Sequence, residues 1–265
     1  MSLNKSKSNI ILIFDDVLNT YNSKIHGKKA LSKYKRWFPV IASPQLAGLV
    51  ADLIGDGHLQ DAPKWRLDYC SKSEKELTRF ENEIYNLFRV KGKIRKSTTN
   101  YYGSFNYGVN CKPLARLLKL VGVPTGAKVL RDFLIPNWIV NDKENFRRFI
   151  IRLFTCESSR FSGKYPWIGI EMWKSTKNLE NGLKFMNQIR HYLYLYFNVK
   201  TCGPFIYNSK CIRKDKIKTK PIKFTIMASS QLNFCREIKL EDKKKQDEFE
   251  KIIKRRLEIL ANRVR

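Results

Sequence analysis

The chain has 265 residues and a formal net charge of +28, from 52 Lys and Arg against 24 Asp and Glu. At about 150 residues per domain, this length predicts one large domain or two smaller ones, each able to bury a core. Because 43% of the residues are hydrophobic and 12% aromatic, the composition argues against a disordered chain. The charge excess indicates a polyanionic partner, and nucleic acid is the one we expect.

Cysteine and histidine usage argues against a zinc site or a disulfide scaffold. The cysteines are Cys70, Cys111, Cys156, Cys202, Cys211 and Cys235, and the histidines are His26, His58 and His191. No two cysteines form a C-x-x-C pair, and the histidines do not cluster near them. A chain of this length can be held by its core, so we expect reduced thiols and an intracellular protein. The cytoplasm of a prokaryote and an organelle matrix both remain open.

The apolar run at residues 10–14 is too short for the core of a signal peptide, and Asp15 and Asp16 follow it closely. No stretch approaches the ~20 apolar residues of a membrane span. We therefore expect no membrane partner.

Residues 1–42 form a basic, irregular N-terminal extension in this interpretation, with a Lys-rich segment at 24–37. That segment is either a solvated arm or a contact to a DNA backbone. The first clear helix signal is Ser43 followed by Pro44, an N-cap and a proline at the first helical position. The helix carries a small residue at every fourth position, which lets another helix approach closely, and we expect it to end at Gly57.

The elements that follow alternate between strands and helices. Residues 65–71 alternate as a half-buried strand, and residues 73–90 carry apolar side chains at helical spacing. Residues 91–98 and 100–110 predict a hairpin, and residues 113–121 another helix.

The second half of the chain repeats this order. The text KSEKEL around Lys72 is echoed by KSTKNL around Lys174, and Phe88-Arg-Val-Lys is echoed by Phe197-Asn-Val-Lys. The first pair is offset by 102 residues and the second by 109. Two diverged copies with a small insertion would give this difference. The predicted organisation is an extension at 1–42, a first repeat at 43–128, a linker at 129–145, a second repeat at 146–240 and a charged helix at 241–265 that packs on the body.

Two acids occupy equivalent places in the copies, Asp56 at the end of the first small-residue helix and Glu157 at the end of the second. If the two helices pack side by side, their carboxylates meet near a pseudo-twofold axis. Helix C-termini disfavour further negative charge, so acids there suggest a divalent cation such as Mg²⁺. Such a site suits phosphodiester hydrolysis. On spacing alone, plain carboxylates at helix ends are an equal alternative.

These residues resemble a known family. The segment LVADLIGDG at 49–57, with Leu46-Ala-Gly upstream, resembles the signature helix of the LAGLIDADG homing endonucleases. The text IPNWI followed by FRRFIIRLFTCES resembles the linker and second signature helix of their single-chain, two-repeat members. The resemblance implies an α+β fold of two pseudo-symmetric αββαββα repeats. Their antiparallel sheets form a saddle over the DNA major groove, and the helices pack on the face away from DNA.

The family resemblance also implies the metal ligands. Asp56 and Glu157 match the acids that bind metal at the ends of the signature helices, and the backbone carbonyls of Gly55 and Cys156 would complete the shell. The implied ion is Mg²⁺, whose place Mn²⁺ or Ca²⁺ can take. One departure is Arg152, which falls opposite roughly Ala51, where the family has a small residue. An arginine there must reach water or find an acceptor.

Family members place a basic residue at the end of the strand after each signature helix, close to the scissile phosphates. Lys72 and Lys174 match that place, and such a lysine could polarise the attacking water or offset transition-state charge. For either lysine, a solvated strand end is the alternative. Because WIGIEMWKS does not alternate cleanly, the position of Lys174 could be shifted by one residue.

Alternate side chains of the strands are candidates for reading base edges. Those of the first half are Arg66, Asp68, Cys70, Arg95, Thr98, Tyr102, Ser104 and Asn106. Those of the second half are Arg160, Lys164, Tyr207, Lys210, Arg213 and Lys223. A phosphate contact or a solvated position is an open alternative for each of them.

The expected function is that of a monomeric, metal-dependent endonuclease that cuts both strands of a long, pseudo-palindromic DNA target and leaves short 3′ overhangs. The alternatives are an RNA maturase that binds its host intron, and a site-specific DNA-binding protein of the same fold that does not cut. The sequence does not identify the target or the host gene.

Overall fold

A computed structural model describes residues 9–96, 103–163, 166–209 and 211–264, with side chains to residue 259. Thr98, Tyr102, Lys164 and Lys210, four of the candidate DNA-binding residues, lie outside the described residues. The chain divides into two compact units: the first contains the residues up to Gly126 together with Pro136–Phe149, and the second contains Ala127–Ile135 and the residues from Ile150 onward. None of the described helices has the length and apolar character needed to span a membrane.

The first unit combines short N-terminal elements with a four-stranded sheet and its helices. Its strands are β1 (Ile10–Leu12), β2 (Val40–Ile41), β3 (Gly57–Gln60), β4 (Arg66–Ser71), β5 (Lys93–Lys96) and β6 (Phe105–Val109). Its helices are α1 (Phe14–Leu18), α2 (Lys24–Leu31), α3 (Pro44–Ile54), α4 (Glu74–Phe88), α5 (Lys112–Leu120) and α6 (Asn137–Val140). The next helix, α7 (Lys143–Glu157), begins in the first unit and ends in the second.

The N-terminal extension is folded, so the expectation of an irregular arm is wrong for residues 10–41. β1 pairs with β2, and Leu31 and Trp37 are buried. The Trp37 indole Nε1–H donates to the carbonyl of Phe88 at 2.8 Å, and the Arg116 guanidinium donates to the Thr20 hydroxyl at 3.1 Å. Apolar burial therefore fixes this segment to the first unit despite its many lysines.

α3 begins as predicted, with the Ser43 hydroxyl accepting from the amide of Leu46 at 3.3 Å. Residues 46–54 are buried without exception, because the helix is apolar all round apart from Asp52. The helix ends at Ile54 rather than at Gly57, and Gly55 is its C-cap. Gly57 already belongs to β3, so the chain turns directly from the helix into the sheet.

Asp52 is a charged residue in the interior of α3, and its solvent exposure is zero. Its carboxylate accepts from Arg79 of α4 at 2.8 Å. The same guanidinium donates to Glu76 at 3.1 Å and to Glu83 at 2.6 Å, and Arg148 of α7 lies 3.5 Å from Glu83. A network of charges thus joins α3, α4 and the start of α7 within the first unit.

Replacing Arg79 with methionine should destabilise the first unit, because it removes the guanidinium that compensates a buried carboxylate. We expect a loss of about 3–5 kcal/mol in the free energy of unfolding, measured by urea denaturation. Lys75→Met, on the exposed face of the same helix, is the control and should change stability by less than about 0.5 kcal/mol. Equal stability of the two variants would contradict a structural role for the Asp52–Arg79 pair.

The second unit contains a five-stranded sheet and its helices. Its strands are β7 (Ser158–Phe161), β8 (Trp167–Ser175), β9 (Thr201–Ile206), β10 (Cys211–Ile212) and β11 (Lys218–Ile226). Its helices, after the end of α7, are α8 (Leu179–Phe197), α9 (Gln231–Glu237) and α10 (Lys243–Val264). The C-terminal helix is therefore present as predicted, and Phe249, Ile252 and Ile253 are its buried side.

The predicted fold class is confirmed. Both sheets are antiparallel, with the order β3-β4-β6-β5 in the first unit and β10-β11-β8-β7 in the second, where β9 also pairs with β11. The order from α3 to α5 is αββαββα, and the order from α7 to α9 is the same apart from the added β10. In each unit, helices cover one face of the sheet and bury its apolar side chains, such as Leu67 and Tyr69 of β4 or Ile168 and Ile170 of β8.

Lys174 lies on the buried face of β8, so the expectation that it ends the strand beside the scissile phosphates is wrong. It alternates with Ile168, Ile170 and Met172, and its exposure is zero. Its ammonium donates to the carbonyls of Lys128 at 3.1 Å and Arg131 at 2.7 Å. The nitrogen also lies 3.9 Å from the centre of the Phe133 ring. Lys174 thereby fastens residues 127–135 to the sheet of the second unit.

The burial of Lys174 makes the stability of the second unit depend on pH. Burial lowers the pKa of its ammonium from 10.5 to about 8, an effect that Asp132 opposes and Lys128 reinforces. Between these two pH values the unfolded chain keeps a proton that the folded chain releases, so this group adds stability as the pH rises. The neutral amine still has two N–H groups for the two carbonyls.

We therefore expect the stability of the wild-type protein, relative to Lys174→Met, to increase between pH 7.5 and pH 9.5. Urea unfolding at each pH measures the difference. Lys177→Met, at an exposed lysine in the next turn, should show no such trend relative to the wild type. A difference between the wild type and Lys174→Met that stays constant over this range would refute the assigned role of the buried ammonium.

Arg152 forms an ion pair within the second unit. Its exposure is zero, and its Nη1 lies 3.6 Å from a carboxylate oxygen of Glu241, just before α10. Glu241, in the C-terminal segment, thus compensates the charge of an arginine that is buried at a helix position expected to carry a small residue.

Candidate nucleic-acid interface

The sheet of the first unit has one face that none of the described helices covers, which we call the first polar face. Strand alternation places on it the side chains of His58, Gln60, Arg66, Asp68, Cys70, Lys93, Arg95 and Asn106. Six of these residues, all but Lys93 and Arg95, line a pocket of about 280 Å³ together with Asp56. The predicted readers of β4 therefore share one surface with the predicted catalytic acid.

Arg66 and Asp68 form an ion pair on this face. The Arg66 Nε–H donates to Asp68 Oδ1 at 2.9 Å, and Nη2 donates to the same oxygen. The pair extends over Gly108 of β6, where an added Cβ would lie 2.8 Å from the Asp68 oxygen and 2.9 Å from Arg66 Nη2. The missing side chain at Gly108 therefore allows the pair to lie flat on the sheet.

Asp56 follows the C-cap of α3 and is exposed, while its carbonyl accepts the amide of Cys70 at 3.3 Å. A carboxylate and the neighbouring carbonyl of Gly55 are the hard oxygen donors that Mg²⁺ takes, with waters and phosphate oxygens filling the remaining positions. Among the described residues, no three His, Cys, Asp or Glu side chains converge as a metal cage. The oxygen donors at Asp56 and Gly55 are of the chemical type that Mg²⁺ takes.

The remaining candidates of the first half differ in accessibility. Lys72 is exposed directly after β4, where the sequence predicts it. Arg95 is exposed on β5, opposite Asn106. Ser104 is buried, and its hydroxyl accepts from the Cys70 thiol at 3.4 Å. Ser104 therefore holds the Cys70 thiol through this hydrogen bond and is itself too buried to contact a partner.

The second unit also turns directly from a helix into a strand, and the predicted acid Glu157 lies at that turn. α7 ends at Glu157, and β7 begins at Ser158. Cys156 and Glu157 are partly exposed, and the carboxylate and preceding carbonyl are again oxygen donors. Gly57 pairs with Tyr69 in the first unit, and Ser158 pairs with Ile170 in the second. The two hairpins therefore correspond at an offset of 101 residues.

This offset shows which residue of the second unit corresponds to Lys72. It is Trp173, and Lys174 is the next residue along, on the opposite side of the strand. The side-chain alternation in β8 is clear in the structure, where residues 168, 170 and 172 are buried and Trp167, Glu171 and Trp173 point to the uncovered face. A lysine equivalent to Lys72 is thus absent from β8.

The candidate readers of the second half also need corrections. Arg160 pairs with Ile168 across the strands and forms an ion pair with Glu248 of α10, so it belongs to the helix-covered face and cannot read DNA from there. Arg213 pairs with Asp215 at 3.2 Å in the turn before β11. Tyr207 is exposed beside the uncovered face.

Lys223 is on the uncovered face, but only 8% of it is exposed. Its ammonium lies 3.2 Å from the centre of the Trp167 ring and 4.0 Å from Glu171. Burial lowers the pKa of Lys223, and Glu171 opposes that shift. The side chain is therefore held against its own sheet rather than extended towards a partner.

Sequence reasoning missed several residues of the two uncovered faces. Gln60 and Lys93 belong to the first, and Trp167, Glu171, Trp173 and Phe205 to the second. In β8, Ile168, Ile170 and Met172 alternate with these residues, but the two tryptophans on the outer side obscure that signal in the sequence.

Comparisons with known proteins give distant similarities. No protein-family model matches the chain. The chain is 26% identical over 197 residues to the replication factor C small subunit of Methanocaldococcus jannaschii, a match that covers 67% of this chain and 11% of that protein. The chain thus spans about a ninth of the length of this curated relative.

Solved structures resemble the fold. A variant of I-DmoI in complex with its target DNA is 17% identical, with coverage of 74% of this chain and 96% of that chain and a TM-score of 0.48. The homing endonuclease I-WcaI bound to its DNA recognition sequence is 13% identical, with coverage of 85% and 92% and a TM-score of 0.48. Full-length DUF199/WhiA from Thermatoga maritima is 14% identical, with coverage of 95% and 67% and a TM-score of 0.48. Identities this low do not carry a function to this chain.

Replacing Gly108 with alanine should displace the Arg66–Asp68 pair while leaving the fold intact. The new methyl group meets only the ends of two side chains, so the midpoint of thermal unfolding should change by less than about 2 °C. We expect the NMR resonance of the Arg66 Nε–H to shift and its exchange with water to accelerate. Asn110→Ala, at an exposed position just after β6, should leave that resonance in place. An unchanged resonance in Gly108→Ala would refute the role of this glycine.

Proposed function

We propose that the chain is a metal-dependent, site-specific DNA endonuclease of the LAGLIDADG type. One observation carries the proposal. The exposed acid Asp56 directly follows the buried helix α3 and lines the same pocket as the residues of the first polar face. The same helix, acid and strand order recurs at Glu157. A net charge of +28 supports binding to a polyanion, and the major groove accepts a β-sheet that presents alternate side chains.

In this proposal, Asp56 and Glu157 would each hold a divalent metal ion through a carboxylate, and the carbonyls of Gly55 and Cys156 would be further oxygen donors. When bound, Mg²⁺ would supply Lewis-acid stabilisation to the oxygens of the scissile phosphate. Lys72, exposed after β4, would offset negative charge that develops on that phosphate. Lys174 has no part in the proposed chemistry because it is buried among carbonyls.

The proposed substrate is a long, pseudo-palindromic duplex that a single chain cuts on both strands to leave short 3′ overhangs. Arg66, Asp68, Cys70, Arg95 and Asn106 would contact the part of the target that faces the first unit. Because side chains on this face pair with one another, as Arg66 does with Asp68, they would offer fixed donor and acceptor positions. Such fixed positions favour sequence reading over simple phosphate contact.

The test begins with a randomised duplex library incubated with the protein and Mg²⁺, followed by sequencing of the cut ends to identify the target. On that target, Asp56→Asn and Glu157→Gln should each slow cleavage by about 100-fold or more and keep the affinity for DNA, measured in Ca²⁺. Both substitutions remove the negative charge and preserve the shape of the side chain.

Glu180→Gln is the matched control, since Glu180 is a highly exposed acid on α8 that pairs with Lys184. It should cut at the wild-type rate. Wild-type cleavage rates in Asp56→Asn and Glu157→Gln would refute the assignment of these acids. A wild-type protein that binds a specific duplex but never cuts it would instead identify a non-cleaving DNA-binding protein.

A further inference from the structure

The uncovered face of the second sheet is aromatic, unlike the first polar face. Among the residues that the structure describes, five aromatic side chains lie on it, and we call this surface the aromatic face: Phe161, Trp167, Trp173, Phe205 and Tyr207. Phe161, Phe205 and Tyr207 are 48%, 54% and 44% exposed. A contiguous patch of large, exposed apolar side chains on a protein surface marks a binding site.

Strand register places these rings on one side of the sheet. Phe161 pairs with Trp167 between β7 and β8, and their rings stack with centres 6.4 Å apart. Trp173 pairs with Pro221 of β11, whose carbonyl accepts the amide of Tyr207 at 3.1 Å. Phe205 pairs with Lys223. The aromatic face therefore extends across β7, β8, β11 and β9, on the side opposite the helices.

The charged groups of the aromatic face are already engaged with one another. Lys223 is held between Trp167 and Glu171. Among the described strand residues on this side, none is an arginine, asparagine or glutamine. Those are the side chains that read guanine or adenine through two hydrogen bonds. The described strands of the aromatic face thus carry no counterpart of Arg66 and Asn106 on the first polar face, and Arg213, in the turn after β10, is held by Asp215.

We propose that the aromatic face selects thymine-rich sequence through apolar contact with the C5-methyl groups of thymine, the apolar groups that bases display in the major groove. This inference rests on the proposed function and names the half of the target that the second unit recognises. The two halves of the target would then differ in chemistry: hydrogen-bonded reading by the first unit, and methyl contact by the second.

Replacement of thymine by deoxyuridine isolates this contact, because it removes the methyl group and keeps the base pair. The target comes from binding selection on a randomised duplex library in Ca²⁺, and a parallel selection with Arg66→Ala shows which half belongs to the first unit. In the other half, each deoxyuridine at a contacted thymine should weaken binding by about threefold to fivefold, the effect of burying one methyl group.

The sensitivity to the methyl group should depend on the aromatic face. In Phe205→Ala, deoxyuridine and thymine targets should bind with nearly equal affinity. Tyr194→Ala is the matched control, since Tyr194 is a 56% exposed aromatic residue on α8, and it should keep the full wild-type penalty for deoxyuridine. A shared loss of sensitivity in both variants would contradict the assignment.

Three further outcomes would overturn the inference, and they differ in what they mean for the proposed function. If the half-site of the second unit is rich in G·C pairs, or if deoxyuridine binds the wild-type protein as well as thymine does, the proposed function stands and the methyl contact is refuted. If selection enriches no duplex sequence at all, the proposed function itself fails, and the inference fails with it.

Discussion

The burial of one face of each sheet is the constraint on which the rest of the structure depends. Because side chains alternate along a strand, covering one face with helices determines which residues remain available to a partner. In the first unit, Leu67 and Tyr69 face α4, with Tyr69 stacked on Phe80 at 4.3 Å, and this leaves Arg66, Asp68 and Cys70 outside. A shift of one residue would bury three polar side chains and expose the core, so the register of the candidate interface is set by apolar packing.

The same constraint explains how far the sequence could predict the site. In β4, polar and apolar residues alternate without exception, and the strand, its outward side chains and the exposed position of Lys72 all follow from the sequence. The end of α7 at Glu157 could be predicted as well, because apolar spacing and a following polar segment mark it. These are positions where local pattern and tertiary packing favour the same conformation.

β8 could not be predicted in this way, because both of its faces carry large apolar side chains. Trp167 and Trp173 lie on the outer face, and Lys174 lies on the inner face, so hydrophobicity does not distinguish the two sides. The burial of Lys174 depends on carbonyls of Lys128 and Arg131, more than 40 residues away in the chain. The partners of Arg152 and Arg160, Glu241 and Glu248, are more distant still in sequence. The partner of a buried cation is brought to it by the tertiary fold, so the local sequence pattern does not predict which residue it is.

The two units therefore share a backbone arrangement while their surfaces differ. The turn from a buried helix to a strand, with an acid and a carbonyl at its tip, is the feature that both units share. Around it, the first unit has an exposed lysine and a polar sheet, whereas the second has Trp173 at the corresponding place and an aromatic sheet. The scaffold tolerates this difference because outward side chains do not contribute to the buried core. Divergence of the uncovered faces can thus change what each unit binds without altering the fold that positions the acids.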